Sequence, residues 1–155
     1  NVNKFTYEKE VTKVSRRYTD FLTVLIMAHI VQRFVDPKSQ EPYTVEQLAD
    51  RCRIPVKLTT MIIRQLLALN LIVEVKYTKQ SRTGNYYPAV DPEMLTVGSL
   101  IARLDSVGSE NFKVDRRKYA REWELTLASR ASLQEESTHV LLKHLPLGRE
   151  NLCPI

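Results

Sequence analysis

The stretch TVEQLADRCRIPVKLTTMIIRQLLALNLIVEV, residues 44–75, constrains the fold more than any other part of the chain. Thr44 stands where a helix cap is needed and Gln47 follows three residues later, the spacing at which the two side chains satisfy each other's backbone donors. Val45, Leu48 and Cys52 form the apolar stripe of a short helix. The tripeptide RIP then turns the chain, and Pro55 suits the first turn of a second helix. At about 100° per residue, Leu58, Ile62, Leu66 and Leu69 fall on one side of that helix, with Val56, Ile63 and Leu67 as an adjoining stripe. Lys57, Thr60, Arg64 and Ala68 share the narrow face that remains, with Met61 beside them, and Asn70 is placed to cap the C-terminus. LIVEVKY has the β-branched content of a strand, TKQSRTGN carries a Thr-Gly-Asn turn signal, and YYPAV returns. Each of these elements exposes one apolar face that only its neighbours can cover. A short helix, a tight turn, a second helix and a hairpin make a helix-turn-helix with a wing.

The flanks read as helical extensions. FLTVLIMAHIVQRFV (residues 21–35) is shorter than the roughly 20 residues of a membrane span, and Thr23, His29, Gln32 and Arg33 interrupt it. A helix over Val14–Val35, covered on most sides and ended by DPKSQEP, is the expectation. DPEMLTVGSLIARLDSVG restarts a helix with Thr96 as cap and Leu100, Ile101 and Leu104 inside. A last long helix is expected from about Arg116 to His144, anchored by Tyr119, Trp123 and Leu127. With 155 residues, 43% of them hydrophobic, and four glycines, the chain can bury one core with an added subdomain. The fold class is mainly α with a small β-hairpin: residues 1–38 an N-terminal helix packing on the core, 39–107 the winged helix-turn-helix, 108–155 a C-terminal helical extension and tail.

Charge is distributed unevenly. Residues 51–87 hold seven Lys/Arg against one Asp/Glu, which accounts for the excess behind the net charge of +5. In a winged helix, Lys57, Thr60 and Arg64 would face a duplex, while Lys76, Lys79 and Arg82 would follow its backbone and gain from counterion release. The rival reading is a solvated polar face. It gains from the narrowness of that face, from Met61, and from Arg64 being the one residue suited to bidentate base readout. Use of the fold to bind a protein partner or a second copy of the chain, or a purely structural use of it, is therefore expected ahead of nucleic-acid binding. DRRKYAR (residues 115–121), with Asp115 as cap and Glu122 and Glu124 nearby, reads as a second solvated basic face. Tyr77, Tyr86 and Tyr87 read as cross-strand packing rather than a stacking platform.

No catalytic constellation is legible. His29 lies in an apolar run and reads as a core histidine; His139, His144 and Cys153 match no zinc spacing; Glu135 and Glu136 read as solvent-facing. The glycines are scattered, so no phosphate-cradling loop is formed. No metal and no cofactor is expected. Cys52 and Cys153, far apart, point to a reducing compartment rather than a disulfide.

Two families share these patterns. YTVEQLADRCRIPVKLTTMIIRQLLALNLIVEV followed by YYPAVDPEMLTVGSLIARLD resembles Rrf2-type regulators, in which a helix-turn-helix and wing lead into a "tvgdvl"-like helix. That resemblance implies a DNA-binding transcriptional regulator; the cysteine cluster that holds an iron-sulfur centre in such proteins is not matched, since only Cys52 lies near the region. Over nearly the whole chain, through RRYTDFLTVLIMAHIVQRF and LASRASLQEESTHVLLKHL as well, the sequence resembles the cytoplasmic C-terminal tail of YihY/BrkB-type integral membrane proteins, formerly labelled ribonuclease BN. This second resemblance implies a non-catalytic binding or regulatory module at the cytoplasmic face of the membrane, soluble as a fragment, with its parent chain membrane-embedded. A start at Asn1 without an initiating Met fits an excised tail, and Lys4, Lys9, Lys13, Arg16 and Arg17 fit a positive cytoplasmic flank. The tail reading is the main expectation, the Rrf2-type regulator the alternative, and a ribonuclease is disfavoured.

Overall fold

The computed structural model describes residues 13–38, 41–77, 84–134 and 136–149. Helix α1 (Arg16–Val35) begins at Ser15, whose hydroxyl accepts from the Tyr18 amide at 3.2 Å. It buries Leu22, Thr23, Ile26, Met27, Ala28, Ile30 and Val31. Phe21 and Phe34 stay half exposed, so the helix is covered along one broad side rather than all round. Helix α2 (Val45–Cys52) has the full capping box, with Gln47 N donating to Thr44 Oγ1 and Thr44 N to Gln47 Oε1. It ends at Arg53, which adopts a left-handed conformation at φ 54° and tightens the turn.

Helix α3 (Val56–Ala68) follows Pro55, which sits at the cap position, one residue before the first turn. Its end is a Schellman closure. Asn70 takes φ 57°, its amide donates to Leu67 O, and the Leu71 amide donates to Leu66 O, both at 3.0 Å. The Arg103 guanidinium donates to the Leu69 carbonyl, placing a cation at the negative end of the helix.

Strands β1 (Ile72–Val75) and β2 (Asn85–Pro88) pair antiparallel in the register Ile72↔Pro88 to Val75↔Asn85. The Tyr86 amide also donates to Tyr43 O, and Asn85 Nδ2 to Pro42 O, so the segment before α2 lines the other side of the wing. Helix α4 (Val97–Asp105) is capped by Thr96 and Ser99 and buries Leu100 and Leu104, with Ile101 half-buried.

The C-terminal part departs from expectation. Helix α5 runs only Ala120–Gln134, and two 3-10 turns, Glu136–His139 and Leu142–His144, follow it. Between them the chain returns to the winged domain: Val97 N donates to Val140 O, Leu142 N donates to Leu95 O, and Leu142 is fully buried. Gln32 fastens this return, its amide nitrogen donating to Leu142 O (3.2 Å) and Leu145 O (2.7 Å). The core therefore draws Ile26, Leu48, Ile62, Leu66, Leu71, Leu100 and Leu142 from six separate segments. Each such side chain contributes roughly 1.5–3 kcal/mol through burial.

Candidate nucleic-acid interface

Helix α3 divides its surface sharply. Leu58, Thr59, Ile62, Ile63 and Leu66 are buried, whereas Lys57, Met61, Arg64 and Ala68 are exposed and Thr60 is half-exposed. The exposed set recurs at helical spacing, so it forms one stripe along the helix. Val56, read as part of an apolar stripe, is instead 48% exposed, one turn before the half-exposed Thr60 on the outward side. The outward face is thus broader than its sequence suggests, and it carries no acidic residue anywhere between Val56 and Ala68. Thr60 Oγ1 donates to Val56 O at 2.9 Å, which leaves its lone pairs outward. Lys57 sits in the first turn, where the helix dipole disfavours a cation and favours an anionic ligand.

The wing supplies the second part. Lys76 is exposed just past β1; Lys79 and Arg82 lie outside the described residues. Tyr86 is buried, with its phenol pushed up to about 12 by burial and then by the Glu74 and Glu46 charges. Tyr77 and Tyr87 share a 2.6 Å hydroxyl hydrogen bond across the hairpin, and Tyr87 packs edge-on against Phe34. The Tyr77 phenol is pushed up to about 12, mainly by that hydrogen bond. The two hydroxyls therefore meet across the wing, while the Tyr87 ring packs on α1.

The basic surplus of residues 51–87 does not collect on one ridge. Arg51 turns away from α3: its Cζ lies 4.9 Å from the Tyr43 ring centroid, where Arg33 approaches to 4.6 Å. His29 meets the same ring edge-on, its centroid 6.4 Å away. It is half-buried beside cations rather than enclosed in the core, and its pKa is lowered by burial first and by Arg51 and Arg149 next. Sequence reading missed this cluster because its members are scattered from Arg33 to Arg149 and no local pattern links them.

The remaining candidates fall elsewhere. Asp115 caps the turn before α5, accepting from the amides of Arg117 and Lys118 at 3.1 Å, and every residue of the 115–121 basic cluster is exposed. Among the described residues Tyr119, Trp123 and Leu127 do not anchor α5: Trp123 remains 41% exposed, covered in part by the Arg116 guanidinium. Among the described residues, no group of His, Cys, Asp and Glu is arranged to hold a metal. His139 and His144 are exposed; Cys153, Glu135, Lys4 and Lys9 lie outside the described residues. Cys52 is half-buried, and burial raises its thiol pKa above the ordinary value.

Solved structures share this architecture. IscR from T. potens matches with a TM-score of 0.60 at 21% identity, over 92% of this chain and 91% of that one. CymR of B. subtilis, the global cysteine regulator, matches at 0.54 and 16% over 84% and 92%, and CymR of Staphylococcus aureus at 0.55 and 16% over 82% and 93%. At these identities the likeness shows the fold alone, and that fold is the winged helix expected from the sequence. No family model and no curated protein matches the sequence. Nothing in the comparisons supports the YihY/BrkB tail or the ribonuclease label. Among the described residues no helix is long and apolar enough to cross a membrane.

Proposed function

We propose that the chain is a DNA-binding transcriptional regulator of Rrf2-like type, placing the outward stripe of α3 in a major groove and its wing along the phosphate backbone. The observation that carries this reading is the uncovered, acid-free face of α3 bearing Lys57, Thr60 and Arg64. A polar helix face exposed to solvent is available to a ligand, and its cations select a negatively charged one. Arg64 would read a guanine edge, Met61 and Thr60 would contact apolar and polar base features, and Lys57, Lys76, Lys79 and Arg82 would neutralise phosphates. Likeness to regulators of known structure supports the same geometry.

The second element of the proposal is a homodimer. Tyr119, just before α5, and Trp123 and Leu127 along one side of it stay exposed, a surface that a second copy would cover. Two α3 helices would then meet half-sites about one helical turn apart. Fluorescence anisotropy with a labelled duplex of random sequence tests the DNA reading. Binding at low salt should weaken steeply with added salt, as release of counterions from about four to six phosphates requires. Flat anisotropy up to tens of micromolar protein would remove it.

A further inference from the structure

A cleft of about 500 Å³ lies between the C-terminal half of α1, the end of α2, the segment around Tyr43 and the segment 143–149. Arg33, Arg51 and Arg149 line it, together with His29, Tyr43 and Lys143, and Asp36 is the one acid in the lining. Lys143 is already paired with Glu93 at 2.5 Å, and an Asp36 carboxylate oxygen accepts from the Lys38 amide. None of the three arginines is in an ion pair among the described residues.

These guanidiniums are held in place rather than left to sweep through solvent. Arg33 Nε donates to Glu41 O at 3.0 Å while its Cζ stacks over Tyr43. Arg51 stacks over the same ring from the end of α2. Arg149 donates through Nη2 to Gln32 Oε1 (2.6 Å) and through Nε to Pro146 O (3.0 Å). Three like charges fixed around one cleft repel each other, and that repulsion is relieved by an anion between them. Each arginine keeps donors unused by these contacts, and guanidinium forks match carboxylate and phosphate oxygens. His29, whose pKa is lowered by burial first and by Arg51 and Arg149 next, adds no competing positive charge at neutral pH.

We infer that this cleft is a binding site for a small polyanion carrying carboxylate or phosphate groups, held by Arg33, Arg51 and Arg149. Resting on the regulator reading, the site has an effector's position: Arg51 belongs to the last turn of α2, two residues before the left-handed turn at Arg53 that sets α3. An anion that fixes Arg51 against Arg33 and Arg149 ties that turn to α1 and to the C-terminal return.

The test is thermal unfolding of the whole chain, without DNA, in citrate, in pyrophosphate and in sodium chloride matched for ionic strength. A saturable rise in Tm with citrate assigns a carboxylate ligand, and one with pyrophosphate a phosphate ligand; sodium chloride should give neither. Arg51→Gln, at an exposed position, should weaken the apparent affinity by about tenfold or more, the effect of losing one charge-assisted contact. Arg149→Gln should act similarly, while Lys57→Ala/Arg64→Ala should keep the full shift. Equal shifts in sodium chloride, no shift in any salt, or a shift unchanged by Arg51→Gln would overturn the assignment. Because no duplex is present, failure of DNA binding would leave this result intact. Loss of duplex binding in Arg51→Gln without any small-anion shift would make the cleft part of a DNA footprint instead and refute the proposal.

Discussion

Gly98 shows how one residue can decide where a distant segment goes. A Cβ there would come within 2.9 Å of Thr138 N and 3.0 Å of Thr138 Cα, backbone atoms that cannot swing aside. Gly98→Ala should cost about 1–3 kcal/mol, the usual scale of overpacking, read as a lower urea midpoint with an unchanged m-value. At buried Gly84 a new Cβ would overlap the Cγ and carboxyl group of Glu74, so Gly84→Ala requires that side chain to take another rotamer. His29 gives a pH signature. Its folded pKa lies below the ordinary 6.5, with Arg33 on its own helix, Tyr43 on the connector, Arg51 on α2 and Lys143 and Arg149 on the return lining the same cleft. Above pH 6.5 both states hold the neutral ring. Below it the unfolded chain takes up a proton that the folded chain resists, so stability should fall from about pH 6.5 downward until the lowered folded value is passed. Urea midpoints between pH 7.5 and 5.5, in buffers free of multivalent anions, should decline for the wild type and flatten for His29→Gln. The sequence placed His29 in the core because its neighbours are apolar, and a one-dimensional pattern holds no sign of Arg51 or Arg149 beside it.

Between elements, legibility follows the range of the forces involved. The segment from Thr44 to Pro88 was readable because its signals are local: a capping box, a proline before α3, Asn70 in a left-handed cap and a glycine-containing hairpin. Thr44→Ala should accordingly remove about 1 kcal/mol through loss of the cap, seen as a lower Tm without change in DNA affinity per folded molecule. Helix α5 and its sequel were misjudged for the converse reason. Residues 136–144 have enough apolar character to continue a helix, but backbone pairing of Val97 with Val140 and Leu95 with Leu142, and the Gln32 clamp, win over propensity. The sequence predicts that the aromatic stripe of α5 is an internal anchor, but among the described residues it stays exposed. If a second copy covers it, Trp123→Glu should convert a dimer to a monomer in sedimentation velocity while leaving the far-UV spectrum unchanged. A wild-type chain that sediments as a monomer at high micromolar concentration would contradict the dimer.

For the molecule as a whole, the basic surplus serves two surfaces instead of one. Lys57 and Arg64 face outward from α3, and Arg51 joins Arg33 and Arg149 in a cleft of its own. Counting charges along the chain could not separate these, since Arg51 and Lys57 are six residues apart yet the turn at Arg53 sends them in different directions. The central claim concerns the first surface, and the salt dependence of duplex binding tests it most directly. The slope of log affinity against log salt should be negative for the wild type and shallower by about 0.9 for each phosphate contact removed. Lys57→Ala/Arg64→Ala should therefore bind more weakly with a flatter slope, at an unchanged Tm. A double variant that binds the duplex with the wild-type slope and affinity would show that α3 does not face DNA.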